Sequence, residues 1–210
     1  MTASFLWRGT RQDRDRAAAL LAQGFAHDPA MAYFAMGDDP VVRRAVCDAL
    51  VRMHVAGGQD LWFWSPPASS PASPVAVALI ERQPTLWRQV VGLVGALRAF
   101  LRLPAQTRQR LNAYARLARP RPMPRKTLYL VMVAVDPAHR GAGHGGAFLA
   151  ALERAHGADY AWALDTENDK NLGLYRHLGY DLKSEGQLGP LTIFRLFRPA
   201  REVPLRENKP

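Results

Sequence analysis

A glycine-rich turn after a long apolar stretch is the part of this sequence best suited to bind a ligand through its backbone. The apolar stretch 128–135 ends at Asp136-Pro137, and residues 147–156 have a helical composition. Glycine lacks a side chain, so the N–H groups of such a turn can approach a ligand closely. The start of a helix adds unpaired N–H donors and about half a positive charge. Together these features predict a cradle for a pyrophosphate group, formed by Arg140, Gly141, Ala142, Gly143, His144, Gly145 and Gly146.

Two common nucleotide-binding motifs do not fit this turn. A P-loop requires a lysine followed by serine or threonine after the glycines, and that pair is missing here. A dinucleotide-binding fingerprint requires an acidic residue that ends the following strand and binds the ribose. Asp165 is the one acidic residue near such a position, and it belongs to a second motif. An ordinary strand-to-helix turn is the alternative, so the interpretation depends on that second motif.

The second motif lies in residues 164–180. Asn171 precedes Tyr175 by one helical turn, so both side chains can point at the same ligand, and Gly179-Tyr180 closes the segment. This arrangement and the turn before it resemble the GNAT superfamily of N-acetyltransferases. The signature of that family, Arg/Gln-x-x-Gly-x-Gly/Ala, is matched from Arg140 to Gly145.

The resemblance is specific over residues 128–180 and implies a fold for the whole chain. It implies one α/β domain over residues 1–210, in which helices flank a mixed central sheet that is splayed at the acyl-CoA site. The long helical segment 85–125, which precedes the central strand, is similar to an insertion in the branch that includes puromycin acetyltransferase.

The resemblance also implies a role for each matched residue, with acetyl-CoA as co-substrate and no metal. The backbone of Val133, Ala134 and Val135 would bond the pantetheine arm, and the glycine-rich turn would hold the pyrophosphate. Asn171 would bond the pantetheine, and the Tyr175 hydroxyl would protonate the departing thiolate. The alternatives are a capping role for Asn171 and a core role for Tyr175.

The implied reaction is attack of a neutral amine on the thioester carbonyl. An alkylamine with a pKa near 10 must first lose a proton, at a cost of roughly 4 kcal/mol at pH 7. An N–H group at a strand bulge near Val135 is expected to stabilise the oxyanion. A general base is therefore useful to this chemistry.

The sequence does not supply an obvious base. The stretch 128–135 contains no carboxylate and no histidine, and Lys126-Thr127 stand where the puromycin-like branch often has a histidine. Glu81, at the end of the neighbouring predicted strand, is the leading candidate. Three further candidates are His27, Asp28 and Asp165.

The elements that must position these residues follow from apolar periodicity and from turn signals. Alternation of strands and helices predicts an α/β fold with a mixed sheet. The predicted strands are 5–8, 61–64, 75–80, 128–135, 160–164, 180–183 and 191–197. The predicted helices begin near residues 15, 40, 85, 107, 147 and 169; Asp28-Pro29 is predicted to end the first of them.

The helical segment 85–125 is unusual because it is both apolar and basic. Apolar residues recur at helical spacing from Leu86 to Leu101, with arginines between them. This pattern favours a helix that covers a core or a pocket, and residues 87–117 are predicted to roof the acceptor pocket. A helix that lies on a membrane surface is the alternative.

Composition limits the remaining possibilities. The chain has 210 residues, a formal charge of +10 and one cysteine, Cys47, so an internal disulfide is impossible. That cysteine usage fits a reducing compartment, and the first 16 residues do not form a signal peptide, so cytoplasm is the expected location. The scattered arginines favour a solvated face, although a polyanionic cofactor also suits this charge.

Three functional hypotheses follow from these observations. The first is an N-acetyltransferase for a primary amine of a small molecule, as a monomer or a homodimer, without nucleic acid and without a membrane span. The second is a module that binds acyl-CoA without transferring the acyl group. The third is a nucleic-acid or membrane binder that uses residues 85–125.

Overall fold

A seven-stranded mixed sheet forms the centre of the chain. The computed structural model describes residues 4–67, 73–82, 86–117, 124 and 126–201, without the side chains of residues 86–89. The strands are β1 (Phe5–Arg8), β2 (Asp60–Ser65), β3 (Ala76–Arg82), β4 (Thr127–Val135), β5 (Ala161–Thr166), β6 (Asp181–Leu188) and β7 (Leu191–Arg198). Their order in the sheet is β1-β2-β3-β4-β5-β7-β6. β4 and β5 are parallel, whereas the other neighbours are antiparallel.

Helices cover both faces of the sheet, as the α/β prediction requires. The helices are α1 (Arg14–Gly24), α2 (Pro29–Phe34), α3 (Pro40–Ala56), α4 (Leu86–Arg102), α5 (Ala105–Leu117), α6 (His144–His156) and α7 (Leu172–His177). The predicted mixed sheet flanked by helices is thus confirmed. The serine- and proline-rich stretch 65–74 and the proline-rich stretch 120–124, where the sequence predicts irregular segments, lie partly outside the described residues.

Asp28-Pro29 begins a helix rather than ending one. α1 already ends at Gly24, and α2 starts at Pro29. The fixed φ of proline suits the first position of a helix, where its missing N–H is not needed. The Asp28 carboxylate accepts hydrogen bonds from the N–H groups of Ala30 (3.0 Å) and Met31 (3.1 Å). The first helix does end before this pair, and Asp28 is extended as predicted for a residue before proline, but the start of α2 at Pro29 was not predicted.

Two hydrophobic cores lie on opposite faces of the sheet. Along β3, Val77 and Leu79 belong to one core and Ala78 and Ile80 to the other, as the alternation of side chains in a strand requires. The first core is shared with α1, α2 and α3, and the second with α6 and α7. Near the ends of these central strands, Ala134 of β4 belongs to the first core and Leu164 of β5 to the second.

A β-bulge interrupts β4 in its middle. Leu79 of β3 is opposite Met132, whereas the next residue, Ile80, is opposite Leu130. Val131 is therefore the extra residue of the bulge. Such an insertion bends the strand and is common near active sites.

At the bulge, the alternating side chains of β4 switch from one face of the sheet to the other. Leu128 and Leu130 belong to the second core, but Met132 and Ala134 belong to the first. An uninterrupted strand would have kept all four side chains on one face. The expectation of a bulge near Val135 is wrong, because β4 remains in regular register with β3 there and the irregularity lies four residues earlier.

The apolar face of α4 points away from the core. Large apolar side chains that were expected to cover a core or a pocket are exposed, among them Val94 and Leu101. α4 packs instead on α3 through small residues, such as Gly92 and Ala96. The expectation of a core-covering apolar face is therefore wrong for most of α4, and Tyr114 of α5 contacts Glu167, just past the end of β5.

Candidate active site

The glycine-rich turn between β4 and α6 has the geometry of an anion cradle. Gly141 has a φ of +83° and Gly143 a φ of +75°, both in the left-handed region that residues with a Cβ atom adopt only with strain. A Cβ atom at either glycine, or at Gly146, would have no neighbouring atom within 4 Å. α6 starts at His144, so the N–H groups of residues 144–146 have no partner within the helix. The turn therefore presents free donors to open space.

Hydrogen bonds on both sides hold this turn in place. The Asp136 N–H donates to the carbonyl of Val75 (2.8 Å), and the Asp136 carboxylate accepts from the N–H of Ala138 (2.9 Å). The Arg140 guanidinium donates to the carbonyl oxygen of Gly24, at the end of α1. The structure thus gives the Arg140 side chain a bracing contact. Its role in ligand binding stays a prediction.

One edge of β4 is open beside the turn. β4 pairs with β5 only over Thr127–Leu130, although both strands continue beyond that point. Val133, Ala134 and Val135 are paired with β3 on their other side. The two parallel strands separate here, and an extended ligand can pair with the open backbone edge as an added strand.

The turn before α7 brings Asn171 to the end of β5, and Tyr175 follows on α7. The Asn171 side chain donates a hydrogen bond to Oγ1 of Thr166, the last residue of β5 (3.4 Å), and it does not cap α7. Asn168 accepts from the N–H of Lys170 instead, as the cap of the preceding turn. A capping role for the Asn171 side chain is thus not observed, and its amide is held instead at the last residue of β5.

Tyr175 is a buried phenol whose pKa is raised. Only 7% of its surface is exposed, and its ring packs edge-on against Tyr180 with a centroid distance of 5.8 Å. Burial raises the pKa of the Tyr175 hydroxyl to about 12, and the charges of Asp28 and Glu167 act in the same direction. The hydroxyl is therefore a neutral hydrogen-bond donor at pH 7.

The cradle, the open strand edge and Tyr175 all lie within one recognisable span of sequence. A profile of the acetyltransferase (GNAT) family matches residues 59–180, more than half of the chain. This chain belongs to the GNAT acetyltransferase family. The puromycin-like branch within the family stays a prediction.

The GNAT fold extends over nearly the whole chain. A structure described as histone acetyltransferase HPA2 and related acetyltransferase, from Corynebacterium glutamicum, is 20% identical, with a TM-score of 0.65 over 97% of this chain and 99% of that one. The ribosomal-protein-S18-alanine N-acetyltransferase of Escherichia coli is 13% identical, with a TM-score of 0.55 over 99% of each chain. An acetyltransferase from Salmonella typhimurium, solved with its cofactor acetyl-CoA, is 14% identical, with a TM-score of 0.50 over 99% of each chain. No curated protein matches the sequence.

The GNAT site contains a carboxylate that the sequence analysis did not select. Glu167 directly follows β5, and its Oε1 accepts a hydrogen bond from the Tyr114 hydroxyl at 2.6 Å. Burial, together with the charges of Asp28 and Asp165, raises the pKa of Glu167 to about 7, although the hydrogen bond from Tyr114 acts in the opposite direction. A carboxylate with such a pKa is poised to exchange a proton near neutral pH.

Packing of α5 positions the Tyr114 hydroxyl. The Tyr114 ring meets Phe34 of α2 edge-on, with a centroid distance of 5.3 Å. Arg110 stacks on the ring of Tyr33 at 4.7 Å, and Arg195 of β7 donates to the carbonyl of Leu117 at 3.0 Å. α5 is thus fixed to α2 and to β7, which holds Tyr114 over the end of β5.

Two of the carboxylates considered as bases have structural partners. Asp165 lies 3.8 Å from the Arg195 guanidinium, and its charge and hydrogen bond contribute to the raised pKa of Tyr129. Asp28 caps α2, and burial raises its pKa. His27 is exposed. The negative charges of both Asp28 and Asp165 act on Glu167 and raise its pKa.

Glu81, the leading candidate from the sequence, lies further along the sheet. It is opposite Tyr129, in the half of β4 that is still paired with β5. Glu167 lies instead at the end of β5, next to the gap, and its charge reaches Tyr175. A catalytic role for Glu81 stays a prediction, and Glu167 is the carboxylate that the described contacts connect to the site.

Two other kinds of site are absent from the described part of the chain. Within it, histidine, cysteine and carboxylate side chains nowhere gather in a group able to hold a metal ion. Its helices are also too short or too polar to cross a membrane.

Proposed function

We propose that this enzyme transfers an acetyl group from acetyl-CoA to a primary amine of a small molecule, by direct attack of the amine on the thioester. The observation that carries the proposal is that Glu167, just past the end of β5, lies close enough to Tyr175 for its charge to raise the pKa of the phenol. One of these groups can accept a proton near pH 7 and the other can donate a hydrogen bond. A single domain over residues 1–210 is part of the proposal, with α5 of the segment 85–125 covering the acceptor side.

The chain would hold acetyl-CoA mainly through backbone groups. Open space surrounds the Cβ positions of Gly141, Gly143 and Gly146, and the first N–H groups of α6 have no partner within the helix, which suits the pyrophosphate. The open edge of Val133–Val135 suits the amide groups of the pantetheine arm. The Asn171 amide, held at Thr166 at the end of β5, is proposed to bond the same arm.

Glu167 is the proposed general base. Its carboxylate takes a proton from the attacking nitrogen as the C–N bond forms, and Tyr114 keeps the carboxylate in place. A backbone N–H at the Val131 bulge is well situated to donate to the carbonyl oxygen as its charge develops, because the bulge frees this part of β4 from regular pairing.

Tyr175 is the proposed partner of the leaving sulfur as the C–S bond breaks. Its pKa of about 12 exceeds that of a thiol, near 8.5, so complete proton transfer from the phenol to the thiolate costs about 5 kcal/mol. The hydroxyl therefore acts mainly by donating a hydrogen bond to the sulfur while negative charge develops there. The proton that the amine releases is matched by the proton that the thiolate gains when it becomes the thiol of free CoA.

The pH dependence of the reaction tests the base. With an alkylamine acceptor, the neutral amine and the ionised carboxylate are both required, so log kcat/KM should rise with a slope of about two below pH 7 and about one above it. Glu167→Gln should keep a slope of about one throughout. A break near pH 7 that persists in this variant would assign the titration to another group.

The cradle can be tested by adding one negative charge to it. A side chain at Gly146 meets open space, and an acidic residue suits the first turn of a helix, so Gly146→Asp should fold normally. Repulsion of the pyrophosphate should raise the Kd for CoA at least about tenfold in calorimetry, relative to the isosteric control Gly146→Asn. Equal affinities of the two variants would place the pyrophosphate elsewhere.

A further inference from the structure

α4 packs against the protein with its small residues and exposes its large ones. A Cβ atom at Gly92 would lie 2.6 Å from the carbonyl oxygen of Met53, and one at Gly95 would lie 2.3 Å from the Cβ of Ala56. Ala96 is 2% exposed. These small residues allow α4 to lie directly on α3, and they leave the opposite face of α4 without a partner among the described residues.

That outer face is a continuous apolar stripe. Its members are Val90, Leu93, Val94, Leu97 and Leu101, which are 46%, 50%, 67%, 45% and 59% exposed. The spacing of three, one, three and four residues puts them within about 100° of the helix surface, over a length of about 16 Å. A contiguous exposed apolar face of this kind is typical of a surface that binds a membrane, a protein or another ligand.

Positive charge flanks the stripe without acidic residues to balance it. Arg98 follows Leu97 and Arg102 follows Leu101, so both arginines lie on the same flank, and both are exposed. The segment 85–125 contains nine arginines and neither aspartate nor glutamate. An apolar helical face with a purely basic flank fits the interface of an anionic bilayer.

A groove beside the stripe extends the basic surface. It has a volume of about 290 Å³ and is lined by Val91 and Val94 of α4, Val55 of α3, and two arginines, Arg11 and Arg14. The groove therefore combines apolar lining with two guanidinium groups, which suits the phosphate and the first acyl carbons of a lipid.

The acidic residues near these arginines are engaged elsewhere. The Asp13 carboxylate accepts hydrogen bonds from the N–H and the hydroxyl of Thr10, at 2.8 and 2.9 Å. Asp15 lies 3.4 Å from the Arg52 guanidinium. Among the described residues, neither Arg11 nor Arg14 forms an ion pair, so both guanidinium groups can bind an anionic partner.

We propose that the α4 stripe, with the adjoining groove, docks this enzyme on an anionic phospholipid surface. The helix lies in the plane of the interface, with its aliphatic side chains among the upper acyl carbons and its arginines at the phosphates. A second copy of the chain fits this face less well, because the docked stripes would bring the unbalanced arginines of both copies together. Nucleic acid would leave the five aliphatic side chains exposed to water.

Vesicle sedimentation of the full chain tests the proposal. At about 0.1 M salt, binding to vesicles of phosphatidylcholine and phosphatidylglycerol in a 3:1 ratio should exceed binding to pure phosphatidylcholine at least about tenfold. Leu97→Gln/Leu101→Gln should lower the partition coefficient at least about tenfold, and Arg98→Gln/Arg102→Gln should do the same.

Matched variants elsewhere on the surface provide the controls. Phe5→Gln/Val41→Gln removes two exposed apolar side chains, and Arg154→Gln/Arg201→Gln removes two exposed charges. Both should bind vesicles within about twofold of the parent chain. Circular dichroism and CoA affinity establish that each variant is folded.

Four results would overturn the proposal. The parent chain could fail to bind the anionic vesicles, or the control variants could lose as much binding as the stripe variants. Conversion of a dimer to a monomer by Leu97→Gln/Leu101→Gln, without vesicle binding, would assign the face to a second copy. Retention on DNA that depends on Arg98 and Arg102 but not on Leu97 and Leu101 would assign the charge to nucleic acid.

Discussion

Tyr175→Phe is expected to lower kcat for acetyl transfer by about 10² to 10³-fold, while the Kd for acetyl-CoA changes less than about twofold. The substitution removes the hydroxyl that stabilises the departing sulfur but keeps the ring and its packing against Tyr180. An interaction made only in the transition state contributes to kcat and not to ground-state affinity. Steady-state kinetics and calorimetry on the same preparation measure the two quantities.

Tyr180→Phe is the matched control for this prediction. The Tyr180 hydroxyl is also buried, and no described residue is its hydrogen-bond partner. Its removal should leave kcat within about twofold of the parent value, and stability should not fall, because an unpaired buried hydroxyl is lost. Full turnover by Tyr175→Phe, or an equal loss in Tyr180→Phe, would remove Tyr175 from the mechanism.

Glu167→Gln is expected to lower kcat/KM by about 10² to 10⁴-fold, the range over which a positioned base contributes. Glutamine has the same shape, and its carbonyl oxygen can still accept the hydrogen bond from Tyr114. The substitution thus removes the proton acceptor without removing the contact that positions it. Initial rates with an alkylamine at pH 8, where most of the parent carboxylate is ionised, measure the effect.

Thermal unfolding separates this loss from damage to the fold. The folded-state pKa of Glu167, about 7, lies above the ordinary value of 4.5, so folding favours the protonated form. That contribution to stability is fully present below pH 4.5 and is lost as the pH rises through 7. At pH 8 the variant should therefore unfold at a temperature no lower than that of the parent protein.

Glu81, the other candidate base, provides a comparison for the effect of Glu167→Gln on kcat/KM. Glu81→Gln changes a carboxylate on β3, opposite Tyr129, and should leave kcat/KM within a few-fold if Glu167 takes the proton. If Glu81→Gln is inactive and Glu167→Gln retains its activity, the roles proposed for the two residues must be exchanged.

The expected loss in kcat/KM on removing the base is consistent with the cost of deprotonating the amine. Removing the proton from an alkylamine of pKa 10 costs roughly 4 kcal/mol at pH 7, and a base within reach of the nitrogen offsets part of that cost. Asp28 and Asp165 add negative charge near Glu167, which raises its pKa and makes the carboxylate a better acceptor. The same charges favour the approach of a cationic amine over a neutral or acidic substrate.

The sequence by itself determined the parts of the site that are built from one stretch of chain. The strand before the turn, the glycines and the start of α6 are contiguous, so their residue types alone predict an anion cradle. Asn171 and Tyr175 are separated by one helical turn, and their shared direction follows from helix geometry. The element order and the mixed sheet were likewise predictable, because apolar periodicity reports local burial.

Only the tertiary structure decided how distant segments meet. Tyr114 and Glu167 are 53 residues apart, and their hydrogen bond depends on how α5 packs against α2 and β7. The bulge at Val131 results from the register with β3, which no residue of β4 shows alone. The outward direction of the α4 stripe was misjudged because an amphipathic pattern specifies two faces but not which one is buried. Small residues decided that choice: Gly92, Gly95 and Ala96 let α4 lie close against α3.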